Sequence, residues 1–369
     1  MNTGLTQRQK AAHDLMIKKN YNALVMANAA NIQYFAGVTE PSIHACGAVI
    51  IPRAAQPELA VMWLDKEAAL GAVHGINVHS YTPATQGKVV SKILDSFSAA
   101  EGPVGVDDYA MEYLGNSLKR SLPGIELADA FEAIERLRSI KSEEEIHLIR
   151  KACEISAQGM RVAKESLRPG VTELEVSALA EQHMIALGSD TMRHDTIVAS
   201  GPRARLIHGF ATQKKIEQGD MVAIDLGAVY RGYCSDIART FVVGKPGGKI
   251  QSAFDSLRRA QDTVLAKLRP GVSFREIEAA VHEVTEPASH RLIGFVGHSL
   301  GLHVEELPRL ESGSSSNQGS KIEKNMVVAF FQGSIKAGRN SGIRLEDTVL
   351  ITGSGAELLT NYPREIFSV

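Results

Sequence analysis

This sequence has few cysteines, a small net charge and no long apolar run. Its three cysteines, Cys46, Cys153 and Cys234, are odd in number and far apart, so we predict neither a disulfide framework nor a zinc-cysteine site. A formal net charge of -2 provides no long-range field that would attract nucleic acid or anionic lipid. We therefore expect no nucleic-acid partner and no membrane partner.

The sequence also lacks the segments that would send the chain into or across a membrane. Residues 1–8 carry no apolar core of a secretion signal, and no run approaches the roughly 20 apolar residues that span a bilayer. A cytoplasmic protein is the resulting prediction.

The chain is long enough for two domains, and its pattern of apolar and polar residues changes at one point. From Tyr21 to about Leu127, short apolar runs alternate with helical stretches, which is typical of an α/β domain. Beyond Arg136, Ser142 and Glu145 form a capping box that opens a long amphipathic helix. We predict an N-terminal domain over residues 1–135 and a C-terminal domain over residues 136–369.

Four side chains that are suited to metal binding occur on predicted strands of the second domain. They are two aspartates, one histidine and one glutamate: Asp225, Asp236, His298 and Glu346. A divalent cation held by carboxylates and an imidazole can convert water into a nucleophile. This constellation predicts a metal site and is the strongest indication of chemistry in the sequence.

The two aspartates are predicted to share one face of a β-hairpin. If Arg231-Gly232 is a two-residue turn, Asp225 lies opposite Ala238, and Asp236 lies opposite Gly227. Because side chains alternate between faces along a strand, both carboxylates then point the same way, roughly 7 to 8 Å apart on the diagonal. Asp236 and Glu346 also have a simpler interpretation, in which Asp236 pairs with Arg239 and Glu346 pairs with Arg344.

An internal repeat supports a pseudo-twofold arrangement of this domain. The segment 167–175 recurs as 268–276, and each copy ends one helix, turns at Pro-Gly, and caps the next helix with Thr172 or Ser273. Strands follow each copy, so the sequence predicts two helix-helix-strand units whose strands meet in one sheet.

These segments, in this order, resemble the pita-bread metallopeptidases, which include Xaa-Pro aminopeptidases, prolidases and creatinase-like enzymes. The resemblance is carried by the segments 195–208, 219–243 and 342–348, and the first domain resembles the creatinase/prolidase N-terminal domain. It implies an α/β N-terminal domain followed by an α+β pita-bread domain, and also a homodimer.

The resemblance also implies a ligand set and candidate catalytic residues. Asp225 would bind one divalent ion, Asp236 and Glu346 would bridge two, and His298 would bind the other. Manganese suits such an oxygen-rich site, with iron, cobalt or zinc as alternatives. His208 matches a position that holds the substrate or leaving group.

Two positions depart from the family pattern. Phe331 stands where the family has a glutamate ligand. We therefore expect one ion held by Asp225, Asp236 and Glu346 and weak binding at the His298 subsite, which gives one or two ions in all. Glu305 stands where the family has a histidine that stabilises the attacked carbonyl, and a histidine occurs two residues earlier, at His303. We expect these two positions on the same face of a strand, so that His303 partly replaces the usual group.

Three functions are compatible with these residues. The first is a metal-dependent hydrolase resembling Xaa-Pro aminopeptidase or dipeptidase, in which metal-bound hydroxide attacks an amide of a short peptide and His208, His303 and Glu305 handle substrate and protons. The second is a creatinase-like enzyme that cleaves a C–N bond of a small amino-acid-like metabolite with weakened or absent metal. The third is a binding protein that kept the fold without the activity.

Overall fold

The structure is a computed structural model that describes residues 3–39, 43, 46–285, 292–293, 296–310, 321–330, 334–336 and 342–369. The chain divides into two compact units, Met1–Arg138 and Ser139–Val369. None of the described helices is long and apolar enough to cross a membrane.

The N-terminal unit is a mixed α/β layer structure. Its helices are α1 (Thr3–Lys19), α2 (Ala29–Ala36), α3 (Lys66–Ala72), α4 (Gln86–Ser96), α5 (Gly115–Ser121) and α6 (Phe131–Ser139). Its strands are β1 (Ala23–Met26), β2 (Ala48–Pro52), β3 (Glu58–Met62), β4 (Asn77–Tyr81), β5 (Val104–Val106) and β6 (Leu127–Asp129), which form one sheet in the order β4-β3-β2-β1-β5-β6. The alternation of short apolar runs with helical stretches predicted this layering.

The C-terminal unit contains the larger sheet. Its helices are α7 (Glu143–Ser166), α8 (Glu173–Ala186), α9 (Gly248–Lys267) and α10 (Phe274–Thr285). Its strands are β7 (Thr191–Met192), β8 (Ile197–Ser200), β9 (Met221–Leu226), β10 (Ala228–Tyr230), β11 (Tyr233–Cys234), β12 (Ile237–Val242), β13 (Leu292–Ile293), β14 (Gly297–Ser299), β15 (Glu306–Leu310), β16 (Val327–Phe330), β17 (Ser334–Lys336), β18 (Gly342–Ile343), β19 (Glu346–Ile351), β20 (Ala356–Leu358) and β21 (Phe367–Ser368).

The predicted pseudo-twofold repeat is confirmed by the order of these strands. The main sheet runs β15-β14-β16-β19-β12-β9-β8 and has the antiparallel pair β12 and β19 in its middle. The antiparallel strands β16 and β14 on one side correspond to β9 and β8 on the other, and β15 extends the first side. Helices α7 and α8 precede one half, and α9 and α10 precede the other.

The turns between the paired helices repeat in detail. Thr172 and Ser273 each accept a hydrogen bond from the backbone N–H of a glutamate three residues later, as a capping box requires. The N–H of Gly170 donates to the carbonyl of Ile216, and that of Gly271 donates to the carbonyl of Ile322, both at 2.8 Å. The Pro-Gly segments therefore occupy equivalent places in two copies of one unit.

Strand alternation separates the apolar core from polar side chains at the centre of the sheet. Val222, Ile224 and Leu226 of β9 enter the core with Phe241 of β12. The intervening Asp225 must then point to the opposite face of β9. This alternation brings buried carboxylates to the middle of the sheet.

Candidate metal centre

The hairpin that carries both aspartates forms as predicted. Tyr230 pairs with Tyr233, and Asp225 pairs with Ala238. Arg231 and Gly232 have φ of 48° and 81°, the left-handed conformation that a type I′ turn requires at both central positions. The turn length therefore fixes which face each aspartate occupies.

Three of the four predicted ligands converge at the centre of the sheet. Ligand atoms of Asp236, His298 and Glu346 all lie within 4.8 Å of one another, and all three residues are buried. They come from the residue directly before β12, from β14 and from the first residue of β19. The pseudo-twofold sheet thus brings together residues from three segments that are remote from one another in the sequence.

The atoms that face one another in this group have no hydrogen-bond partner among the described residues. His298 Nε2 lies 3.7 Å from Asp236 Oδ2 and 3.8 Å from Glu346 Oε1, which is too far for a hydrogen bond. Both carboxylate oxygens of Glu346 and the Oδ2 of Asp236 are buried and unpaired as well. Buried carboxylates without donors are costly, and a divalent cation would satisfy all of these atoms.

The environment of His298 also suits a ligand. Its Nδ1 lies 3.1 Å from the carbonyl oxygen of Ser299, which assigns the ring hydrogen to Nδ1 and leaves the Nε2 lone pair directed toward the two carboxylates. Burial lowers the pKa of His298 to about 4, so the imidazole stays neutral as metal coordination requires.

The two carboxylates of this group resist ionisation in the absence of a cation. Burial raises the pKa of Asp236 well above its ordinary value, although Arg193 opposes the shift, and the Asp225 carboxylate raises it further. Burial likewise raises the pKa of Glu346, with the neighbouring Asp236 and Asp225 carboxylates adding to the effect. Both shifts arise from negative charge gathered in a dry site, which is the setting that a metal ion would relieve.

Asp225 lies beside this group but is paired differently. Its carboxylate accepts hydrogen bonds from the guanidinium of Arg193 and, at 2.9 Å, from Nη1 of Arg344. Burial would raise the pKa of Asp225, but Arg193, assisted by His194 and Arg344, holds it below its ordinary value. Asp225 is thus ionised and already neutralised by cationic side chains.

Sequence reasoning missed Arg193. Its Nη2 also lies 2.6 Å from Oδ1 of Asp236, so one guanidinium contacts both aspartates, and its side chain is only 3% exposed. The available signal was its place directly before the segment 195–208, which carries the resemblance. The simpler pairings considered for the neighbouring arginines are wrong, because Arg239 pairs with Asp347 and Arg344 with Asp225.

His208 is exposed and lies on a loop that Arg344 links to Asp225. Arg344 donates hydrogen bonds to the carbonyl oxygens of Leu206 and Ile207, immediately before it. The arginine that neutralises Asp225 therefore also anchors the loop that carries His208.

The expectation for His303 and Glu305 needs a correction. Neither residue lies in a strand, because residues 301–305 form bends and β15 begins only at Glu306. The Glu306 carboxylate accepts hydrogen bonds from the backbone N–H groups of Leu302 and His303, which holds the chain in a tight loop. His303 and Glu305 therefore do not share a strand face, and the expectation for this pair was wrong.

Glu305 remains close enough to affect the centre. Its carboxylate lies 3.3 Å from Nη2 of Arg309, and it contributes to the pKa shifts of Asp236 and His298. Phe331, the other departure from the family pattern, lies outside the described residues.

A pseudo-twofold sheet with buried carboxylates and a histidine at its centre defines a metallohydrolase-type centre. Residues 147–353 match Metallopeptidase family M24, and residues 8–140 match the Creatinase/Prolidase N-terminal domain. The chain belongs to the M24 metallopeptidases. The resemblance and the fold class predicted from the sequence are confirmed.

Similar proteins of this family extend over the whole chain. The Xaa-Pro dipeptidase of Pyrococcus furiosus is 32% identical over 364 residues, which cover 98% of this chain and 100% of that protein. The solved structure of an Xaa-Pro dipeptidase from Bacillus anthracis has a TM-score of 0.89 at 27% identity and covers 99% of this chain and 100% of that one. The prolidase from Pyrococcus horikoshii OT3 has a TM-score of 0.87 at 31% identity, over 98% of this chain and 99% of that one.

Proposed function

We propose that this protein is a metal-dependent dipeptidase that hydrolyses the peptide bond before proline in Xaa-Pro dipeptides. The observation that carries the proposal is the buried group Asp236, His298 and Glu346, whose facing atoms are within 4.8 Å and have no hydrogen-bond partner in the described part of the chain. The names of the full-length relatives supply the substrate class.

The residues present fit a divalent ion. Two carboxylates and a neutral imidazole form a donor set of the kind that binds manganese, with iron, cobalt or zinc as alternatives. When bound, such an ion polarises a carbonyl and lowers the pKa of water. The part played by Asp236, His298 and Glu346 is to hold the ion in a dry site where its charge acts strongly.

The remaining candidates surround this group. We assign substrate contact to His208, on the exposed loop anchored through Arg344, since that anchor also binds Asp225. We assign proton transfer to Glu305, and two observations support this: its side chain is 30% exposed, and its charge influences the pKa values of Asp236 and His298. His303, held in the loop by Glu306, is assigned to the carbonyl oxygen of the substrate.

The test combines metal analysis with turnover. Protein purified with manganese supplementation is expected to retain the ion and to hydrolyse glycyl-proline, whereas Asp236→Asn is expected to lose both. Glu357→Gln is the matched control, because this carboxylate pairs with Arg150 at the surface, outside the centre. Retention of metal and full activity by Asp236→Asn would contradict the proposal.

The buried Arg193 at Asp225 favours one second candidate, a creatinase-like enzyme acting on a small C–N metabolite with little metal. A parallel assay with creatine as substrate separates the two. Turnover of creatine but not of glycyl-proline, without metal, would favour the second candidate.

A further inference from the structure

Arg193 reaches the centre through the register of a short strand pair. Met192 pairs with Ala228 in β10, and the N–H of Arg193 continues this pairing by donating to the carbonyl of Gly227 at 3.0 Å. The backbone is thereby fixed next to the hairpin that carries Asp225 and Asp236.

Gly227 provides the path for the arginine side chain. A Cβ at this position would lie 2.2 Å from Cδ and 2.5 Å from Nε of Arg193. Only a glycine leaves this space open, so the side chain crosses Gly227 and its guanidinium arrives between the two aspartates. An arginine guanidinium stays protonated in proteins, so Arg193 carries a full positive charge where it contacts both aspartates.

The guanidinium contacts the oxygen atoms that an ion between these aspartates would need. One Asp225 oxygen accepts from Arg193 and the other from Arg344, and Oδ1 of Asp236 lies 2.6 Å from Arg193. By contrast, Oδ2 of Asp236 faces His298 and has no hydrogen-bond partner among the residues that the structure describes. In the described part of the chain, the side of the centre at Asp225 and Asp236 Oδ1 therefore already contains a cation, whereas the side at Asp236 Oδ2 and His298 contains none.

The charges of the centre agree with this division. Among the described residues, when the three carboxylates of Asp225, Asp236 and Glu346 are all ionised, as metal binding would require, the guanidinium groups of Arg193 and Arg344 balance them down to a single negative charge. One divalent ion at the unpaired atoms would change this net charge to a single positive charge. Two divalent ions beside two buried arginines would instead leave several uncompensated positive charges in a dry site.

We propose that the guanidinium of Arg193 is a built-in cation between Asp225 and Asp236, so that the centre takes one divalent ion where the family resemblance implies two. The inference rests on the proposed metal site of Asp236, His298 and Glu346. In this arrangement Asp225 positions Arg193 and Arg344 and binds no metal.

The decisive measurement is the number of Mn²⁺ ions bound per chain. Metal-stripped full-length protein is titrated with MnCl₂, and bound metal is counted by calorimetry and elemental analysis. The wild type and Arg193→Lys, which keeps the positive charge, are expected to bind one ion. Arg193→Met, which removes the charge but keeps an unbranched apolar stem, is expected to bind two.

Electron paramagnetic resonance provides a readout that is independent of activity. The wild type should give the spectrum of an isolated Mn²⁺ ion, and Arg193→Met should give the spectrum of an exchange-coupled pair. If Arg193→Met does not fold, a manganese-soaked crystal of the wild type replaces it, with one anomalous peak expected beside an unmoved Arg193.

Each contrary result identifies what fails. Two ions on the wild type, or a single ion on folded Arg193→Met, overturns the role of Arg193 and leaves the proposed dipeptidase intact. Absence of any bound ion on both the wild type and Arg193→Met overturns the metal site itself and, with it, the proposed function.

Discussion

Glu346 and Asp347 are neighbours in β19, both fully buried and both acidic, yet their surroundings are opposite. Asp347 accepts hydrogen bonds from Arg239, Gln261 and Thr360, at 2.7, 3.0 and 2.6 Å. Both oxygens of Glu346 have no hydrogen-bond partner in the described chain. The described chain alone satisfies the carboxylate on one face of the strand, whereas it leaves the carboxylate on the other face for the ion that we propose.

The largest effect is expected from Glu346→Gln. Loss of a ligand should reduce metal affinity and glycyl-proline turnover by about 100-fold or more, since even groups behind the ligands contribute 10–100-fold. The unfolding free energy of the metal-free variant should be unchanged or higher, because an unpaired buried carboxylate is removed. Kinetics and urea unfolding measure the two effects, and a large loss of metal-free stability would contradict the distinction between the two faces.

Asp347→Ala should show the reverse behaviour. Removing this carboxylate leaves the buried Arg239 guanidinium without its ion-pair partner. We expect a loss of about 3–5 kcal/mol in the free energy of unfolding. The number of Mn²⁺ ions bound by protein that still folds should stay the same, and a change in that number would show that the two faces are not independent.

Added metal should stabilise the wild type and not Glu346→Gln. An ion that binds only the folded protein adds about 2.7 kcal/mol at a concentration of 100 times its dissociation constant. Thermal unfolding with and without MnCl₂ measures this shift. An equal shift in both proteins would place the bound ion elsewhere.

The pH dependence of the metal-free protein should sharpen the comparison further. Because burial lowers the pKa of His298 to about 4, the unfolded chain binds a proton at this residue between about pH 6.5 and pH 4 while the folded protein does not. Its contribution to the unfolding free energy therefore decreases as the pH falls through this window. Acidification should therefore lower the unfolding free energy of the wild type relative to that of His298→Asn. A difference between the two proteins that is constant with pH would refute the lowered pKa of His298.

Thr360→Val should have the smallest effect. It removes the hydroxyl that donates to Asp347 but leaves two other donors in place. We expect about 1 kcal/mol of destabilisation with unchanged metal binding. A loss as large as that of Asp347→Ala would mean that the threonine positions the whole ion pair.

Local sequence patterns predicted much of this architecture. The two-residue turn at Arg231-Gly232 fixed the hairpin register, because strand alternation and turn length leave no freedom about which face Asp225 occupies. The capping residues Thr172 and Ser273 likewise marked two equivalent helix starts. Turns and helix caps depend on residues that are close in the sequence, and the sequence therefore predicts them.

The conformation of the loop around His303 and Glu305 could not be predicted from local sequence patterns. We expected His303 and Glu305 on one face of a strand, but the buried Glu306 carboxylate accepts hydrogen bonds from two backbone N–H groups and bends the chain. A side chain that satisfies the backbone in place of a neighbouring strand overrides the local pattern.

The sequence by itself determined the family, the repeat and the acidic hairpin, since each rests on residue types at fixed short spacings. Only the tertiary structure decided which cation each carboxylate meets. Arg193, Arg344 and Arg239 are brought to Asp225 and Asp347 by strand registers and by a glycine-lined path, none of which is encoded by local spacing. Pairing of buried charges depends on distances between segments remote in the chain, and those distances exist only in the folded protein.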